Sequence, residues 1–220
     1  MTSRHSRILA PVLTPNDLPL AELCGARLDG ELYPLGDFWC PVDEPDGRLG
    51  RARTAGLLVP PRAIAERLTA AWIYGLCPEP ARHQFCVDLA ARTHVPPSPR
   101  LQLREVRCAP EDTNTIAGLR VTTPLRTVVD LARSPRLDEP SVPPLLAALL
   151  RLGGFPDARV AERLCRRQNL PHKTIALARL AAAQEIMTPR SVTRAPESSL
   201  STTPERPFGR TRDAPEARRE

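Results

Sequence analysis

Gly118-Leu-Arg-Val-Thr-Thr-Pro-Leu-Arg-Thr-Val-Val-Asp-Leu-Ala-Arg133 is the stretch whose reading decides the fold. Leu119 and Val121 alternate as in a short strand, and then the period changes. Thr123 suits an N-cap, because its hydroxyl can accept a free N–H of the first helical turn. Pro124 suits the next position, where no N–H is required. Leu125, Val128, Val129 and Ala132 then recur at i, i+3, i+4 and i+7, the spacing of one buried helical stripe. Arg126, Thr127, Asp130 and Arg133 lie off that stripe. The stretch reads as a strand-to-helix corner, and nothing in it is catalytic by itself.

Upstream, Gln84–Leu89 alternates with period two and puts Phe85, Val87 and Leu89 on one strand face. Pro96, Pro97 and Pro99 mark a rigid turn. Arg100–Cys108 reads as the next strand, with a slip between Leu103 and Val106 that suggests a bulge. With Leu119 and Val121 it completes a small sheet closed by the Thr123 helix. Ahead of it, Pro60 and Pro61 start a helix to about Tyr74, with Ile64, Leu68, Ala71 and Trp72 inward. Residues 43–59 read as a polar, Gly-rich connector, and residues 1–13 as a weakly structured arm. Leu20–Leu28 has helical spacing, with Asn16 or Asp17 as cap and Gly30 as stop. Glu31–Leu35 and Phe38–Val42 flank Gly36-Asp37, a hairpin signal, and Pro34 and Pro41 keep this ribbon at a sheet edge.

Beyond Arg133 the chain reads as helical. Pro143–Leu152 ends at Gly153-Gly154, and further helices run from Asp157 to about Gln168 and from Lys173 to about Glu185. From Thr188 onward Pro, Arg, Ser and Thr dominate, which predicts a disordered tail. The expected fold class is α+β in four parts. Residues 1–50 form a helix and hairpin resembling a degenerate winged helix, residues 51–133 an α/β core, residues 134–187 a helical subdomain, and residues 188–220 the tail.

An apolar fraction of 41% supports a core, but with only 4% aromatic residues Leu, Ala and Val must fill it. The net charge of +6 is unevenly spread. Residues 1–50 hold four Arg against eight acids, whereas residues 51–133 hold twelve against seven. Residues 134–187 hold eight basic against five acidic side chains. The front therefore has the wrong sign for phosphate binding, which Lys and Arg dominate. Candidate nucleic-acid contacts are Arg104, Arg107, Arg120, Arg163, Arg166, Arg167 and Lys173. Arg92 and Arg100 are expected on the same strand face, and His172 and Arg179 at the second cluster.

Six cysteines without a C-x-x-C pair fit reduced, mostly buried thiols in a cytoplasm. No signal peptide and no membrane-length apolar run is present. The acids after Arg133 are scattered, without the carboxylate cluster that a metal-dependent nuclease needs. No phosphate loop or nucleophile elbow occurs either. The expectation is a non-enzyme without metal or cofactor.

Arg120-Val-Thr-Thr-Pro-Leu-Arg-Thr-Val-Val-Asp-Leu-Ala132 resembles the signature of the AbiEi-type antitoxins of bacterial toxin–antitoxin loci. Ile64–Gly75 resembles the helix upstream of it in actinobacterial members, and with Leu18–Leu32 the resemblance covers roughly residues 14–185. The positions carried over are Val121, Thr122, Thr123, Pro124, Arg126, Thr127 and Asp130, with a structural role. The resemblance implies a type IV system linked to phage defence. Its antitoxin represses its own promoter DNA through an N-terminal winged-helix head. Its C-terminal region counteracts a nucleotidyltransferase-like toxin, directly or indirectly. Two alternatives stand beside it: a protein-interaction module without DNA binding, and a Vsr-like endonuclease remnant lacking its nuclease domain.

The tail offers little apolar surface to offset its chain entropy. A chain ending at Met187 is expected to melt at a temperature similar to that of the full chain. A fall of many degrees in differential scanning fluorimetry would mean that the tail docks.

Overall fold

The computed structural model describes residues 10–89, 98–135, 137, 139–167 and 170–188. The expected tail beyond Thr188, the arm before Ala10, and Arg92, Pro96 and Pro97 lie outside these residues. The class is α+β. The first half contains α1 (Leu20–Leu28), β1 (Leu32–Leu35), β2 (Phe38–Pro41), α2 (Arg48–Leu57), β3 (Ile64–Ala65), α3 (Arg67–Ile73), β4 (His83–Asp88) and β5 (Leu101–Val106). It is followed by β6 (Thr113–Ile116), β7 (Leu119–Thr122), α4 (Pro124–Ala132), α5 (Val142–Leu152), α6 (Arg159–Cys165) and α7 (Lys173–Met187).

The main sheet has the order β5-β4-β3-β7-β6. Its middle strand corrects the expected helix from Pro60 to Tyr74. Ile64 and Ala65 pair with Cys86 and Phe85 on one side and with Arg120 and Val121 on the other. The helix begins only at Arg67, whose φ of 49° turns the chain out of the strand. Ile64, Leu68, Ala71 and Trp72 keep helical spacing across this junction by coincidence, and a two-residue strand offers no period of its own to read. β6 has no apolar alternation to mark it in the sequence, because Thr113–Ile116 leaves only Ile116 buried.

The alternation predicts a one-sided β4, yet His83, Phe85, Cys86 and Val87 are all buried. It lies inside the sheet with cover on both faces. Leu89, expected inward, is exposed just beyond the strand end. β5 pairs in parallel with β4 from His83↔Leu101 to Asp88↔Val106 without interruption, so the expected bulge is absent. As an edge strand it has no fully buried position, and its side-chain alternation is correspondingly loose.

The connector expected over 43–59 contains α2, which buries Ala52, Thr54 and Ala55. Arg51 holds Asp46 through two hydrogen bonds of 2.8 Å and donates to the Trp72 carbonyl at 3.0 Å, fastening α2 to the end of α3. The helix α1 and the β1–β2 hairpin form as expected. The cap differs: Pro19 occupies it, while the Asp17 carboxylate accepts from the Thr14 N–H and hydroxyl. Leu13 is buried and exchanges two backbone hydrogen bonds with Trp39, so the end of the expected arm is anchored.

At the 118–133 corner the Thr123 hydroxyl accepts the N–H of Arg126 at 3.3 Å, a cap that contributes about 1 kcal/mol. Val128, Val129 and Ala132 are buried and Leu125 half-buried, joining Ala71, Leu146, Leu149, Leu150 and Leu180 in one core. α5 and α7 thus pack on α4. Arg179, expected in a surface cluster, is 2% exposed. Its guanidinium donates to the carbonyls of Ala132, Ser134 and Leu137 at 2.6–3.2 Å, closing the C-terminal end of α4 with a cation.

His83 is buried with its Nε2 3.1 Å from the Glu79 carboxylate and its ring against Trp72. Burial pushes its pKa below 6.5, against the opposing pull of Glu79. With the folded value below the unfolded one, the unfolded chain takes up the proton first. The contribution of His83 to stability is therefore complete above about pH 6.5 and falls away as the pH drops below it. His83→Gln should lessen that fall in urea titrations at about pH 7.5 and about pH 5.5. An unchanged fall would assign the acid sensitivity to other groups.

Candidate functional site on the arginine face

Arg104, Cys86, Ile64 and Arg120 are register partners across four strands, so their side chains share one sheet face. On that face the charged groups are arranged as a chain. Glu66, at the β3–α3 junction, is 2% exposed and accepts from Arg104 Nε and, at 2.7 Å, from Arg104 Nη2. The same Nη2 lies 3.4 Å from the carboxylate of Asp130, which is 5% exposed on α4. Asp130 accepts from Arg126 Nε at 2.9 Å, and Arg126 Nη1 donates to Asp112 at 2.6 Å. Arg126 Nη2 also donates to the Arg107 carbonyl at 3.4 Å. Five side chains from the β3–α3 junction, β5, α4 and the turn before β6 are linked in this way.

Burial works against the charge of Arg104, but its hydrogen bonds with Glu66 outweigh this and hold the guanidinium above its ordinary range. Arg126 is held higher still: burial is again overcome, here by Asp130 and Asp112. Arg67 moves the other way, since burial and then the charge of Arg104 depress it. Burial, followed by the nearby Glu66 carboxylate, pushes the Cys86 thiol far up, so it is not a thiolate nucleophile at neutral pH. Among the described residues no three His, Cys, Asp or Glu side chains gather as a metal site.

The positions singled out in the 118–133 stretch all have places in this framework. Val121 is fully buried in the sheet core. The Thr122 and Thr127 hydroxyls are 2.7 Å apart in the interior, and Thr122 carbonyl accepts from Tyr74 at 2.8 Å. Thr123 caps α4, Pro124 opens it, and Arg126 and Asp130 carry the ion-pair chain. Thr127 and Asp130 lie off the apolar stripe and are nonetheless buried, since they face the sheet and its arginines rather than water.

The expected nucleic-acid residues divide into three groups. Arg104 is enclosed between Glu66 and Asp130, with 28% of its side chain exposed. Arg100 pairs with Asp37 at 3.0 Å and Glu79 at 3.3 Å, so the strand arginines do not form one open row. Arg120 is half-buried and donates to the Thr113 hydroxyl at 3.3 Å. Arg107, Arg163, Arg166 and Arg167 are exposed, and Lys173 half-buried at the start of α7. Arg107 and Arg167, far apart in sequence, line the same cavity.

Residues 63–152 match the family model of the AbiEi antitoxin C-terminal domain. The chain carries an AbiEi antitoxin domain. It spans β3 through α5, so it contains the whole five-stranded sheet, α3 and α4, and every member of the ion-pair chain. No curated protein matches the chain. The match supports an antitoxin role in a toxin–antitoxin system. No helix among the described residues is long and apolar enough to cross a membrane.

Glu66 and Asp112 carry almost no signal of this role in the sequence. Their one signal was an acid at the edge of an apolar segment, which is also the commonest place for a solvated residue. Removing one partner of a buried pair leaves a stranded charge, at a cost of about 3–5 kcal/mol, whereas replacing both is far milder. Glu66→Leu should therefore lower the unfolding free energy by about 3 kcal/mol, and Arg104→Met with Glu66→Leu should restore most of it. Urea denaturation of the two variants checks this. A loss under about 1 kcal/mol in Glu66→Leu would reduce the pair to a surface contact.

Proposed function

We propose that this protein is the antitoxin of a type IV toxin–antitoxin system, acting in the cytoplasm without catalysis of its own. Its target on this reading is a nucleotidyltransferase-like toxin encoded beside it. The observation that carries the proposal is the AbiEi domain over residues 63–152. The use of its charged residues supports the absence of catalysis. Glu66, Asp112 and Asp130 each meet a guanidinium, and none stands ready as a general base or a metal ligand.

Repression of its own promoter is the second half of the proposal. Phosphate neutralisation governs such affinity, and Arg107, Arg163, Arg166 and Arg167 are exposed basic residues, the last three close together in the chain and Arg107 on one cavity with Arg167. α1 is poorer in charge. It carries Arg27 and Glu22, buries only Leu23, and leaves Leu20 and Leu28 57% and 87% exposed. This apolar, exposed helix favours a second reading for residues 1–50, in which the head meets protein rather than DNA.

Co-expression tests the antitoxin half: the chain should restore growth of cells expressing the adjacent nucleotidyltransferase gene. Continued growth arrest with the chain well expressed would refute it. For DNA, Arg166→Glu with Arg167→Glu should weaken binding to the promoter more than Arg27→Glu. Each lost phosphate contact should lower the slope of log affinity against log salt by about 0.9. If Arg27→Glu alone abolishes binding while the double variant binds normally, the N-terminal helix is the reader.

A further inference from the structure

A cavity of about 310 Å³ opens between α4, α6 and the chain that leaves β5. Its apolar lining consists of Leu125 and Val129 from α4, Leu164 from α6, and Leu170. Among the described residues, the guanidinium groups of Arg107, Arg126, Arg133 and Arg167 surround this floor, and Asp112 is the one carboxylate in the lining. That carboxylate is already engaged, 2.6 Å from Arg126. Arg126 is in turn saturated by Asp112, Asp130 and the Arg107 carbonyl. The other three differ. Arg133 donates its Nε to the Pro171 carbonyl at 3.3 Å, and among the described residues its two Nη groups have no further partner. Arg107 and Arg167 are exposed, and neither side chain has a hydrogen bond or ion pair among the described residues.

We propose that this cavity binds a phosphate monoester carried on a flat or apolar body, the simplest example being a nucleoside monophosphate. Three cations with donors to spare over one cavity repel one another, and an anion relieves that repulsion. Guanidinium forks match phosphate oxygens in pairs, and a phosphate monoester presents three strong acceptors and nearly two negative charges. A single carboxylate would answer one fork and leave the others unmatched. Inorganic phosphate would satisfy the rim but leave the leucine and valine floor in water. A base can lie on such a floor and stack against a guanidinium plane. The volume is near the lower end of ligand cavities, about 300–1,000 Å³, which suits one nucleotide and not a duplex. The inference stands apart from the antitoxin reading, since it needs neither a toxin nor a promoter.

Isothermal titration of the full chain with adenosine 5′-monophosphate and with adenosine tests it. A short single strand with and without a 5′-phosphate distinguishes the two sources of the ligand. The monophosphate should bind, and adenosine should bind about tenfold or more weakly, because each lost charge-assisted bond is worth roughly a tenfold change. Arg107→Gln with Arg167→Gln should weaken the monophosphate by about tenfold or more. Arg48→Gln with Arg62→Gln removes the same charge from outside the cavity and should leave binding within about twofold. All four side chains are exposed, so both variants should melt like the parent.

Tight monophosphate binding would assign a free nucleotide, and a strand preferred with its 5′-phosphate would assign a nucleic-acid end. Either result supports the site. Equal affinity for adenosine and its monophosphate would overturn it, as would equal loss in the two double variants. So would an absence of monophosphate binding together with strands that bind alike with and without the phosphate.

Discussion

Two carboxylates, Glu66 and Asp130, lie almost wholly out of water and face guanidinium groups brought by β5 and α4. A charge in such a position is tolerated only when its partner is in place, so the two carboxylates dictate where the arginines must be. Arg104 must come from the strand beyond β4, and Arg126 must sit one helical turn before Asp130. α4 can then adopt only one rotation over the sheet. Its apolar stripe faces α5 and α7 while its polar flank meets the ion pairs. Arg179 fixes the far end of the same helix from α7. The position of α4 is thus set at both ends by arginine.

This arrangement separates two uses of a basic composition. Arg104, Arg126 and Arg179 are structural cations, each answered by carboxylates or helix-end carbonyls. Arg107, Arg163, Arg166 and Arg167 remain at the surface and are available to a ligand. The separation matters for any electrostatic account of binding, because a neutralised arginine contributes little field. A count of arginines therefore overstates the positive surface of the AbiEi domain.

The front of the chain has another character. α1 rests on the hairpin through Leu23, Leu13 and Leu32, a cluster much smaller than either main core. Arg100 ties the hairpin turn to the sheet by reaching Asp37 and Glu79 together. Exposed leucines and few cations make this segment better suited to an apolar contact than to phosphates.

The sequence by itself determined the strand-to-helix corner at 118–133, the hairpin around Gly36-Asp37, the α+β class and the helices after Val142. Each of these has a local cause: a cap, a turn residue, or a period long enough to repeat. It also carried the AbiEi signature. Tertiary structure alone decided that Ile64 and Ala65 form the central strand, since two residues have no period and their partners lie about twenty and nearly sixty residues away. It decided that β4 is covered on both faces, and that Thr127 and Asp130 are interior although they lie off the apolar stripe. Above all it decided which arginines are free. An arginine is the same letter whether a carboxylate from a distant strand meets it or water does, and that meeting is fixed by packing between elements far apart in the chain.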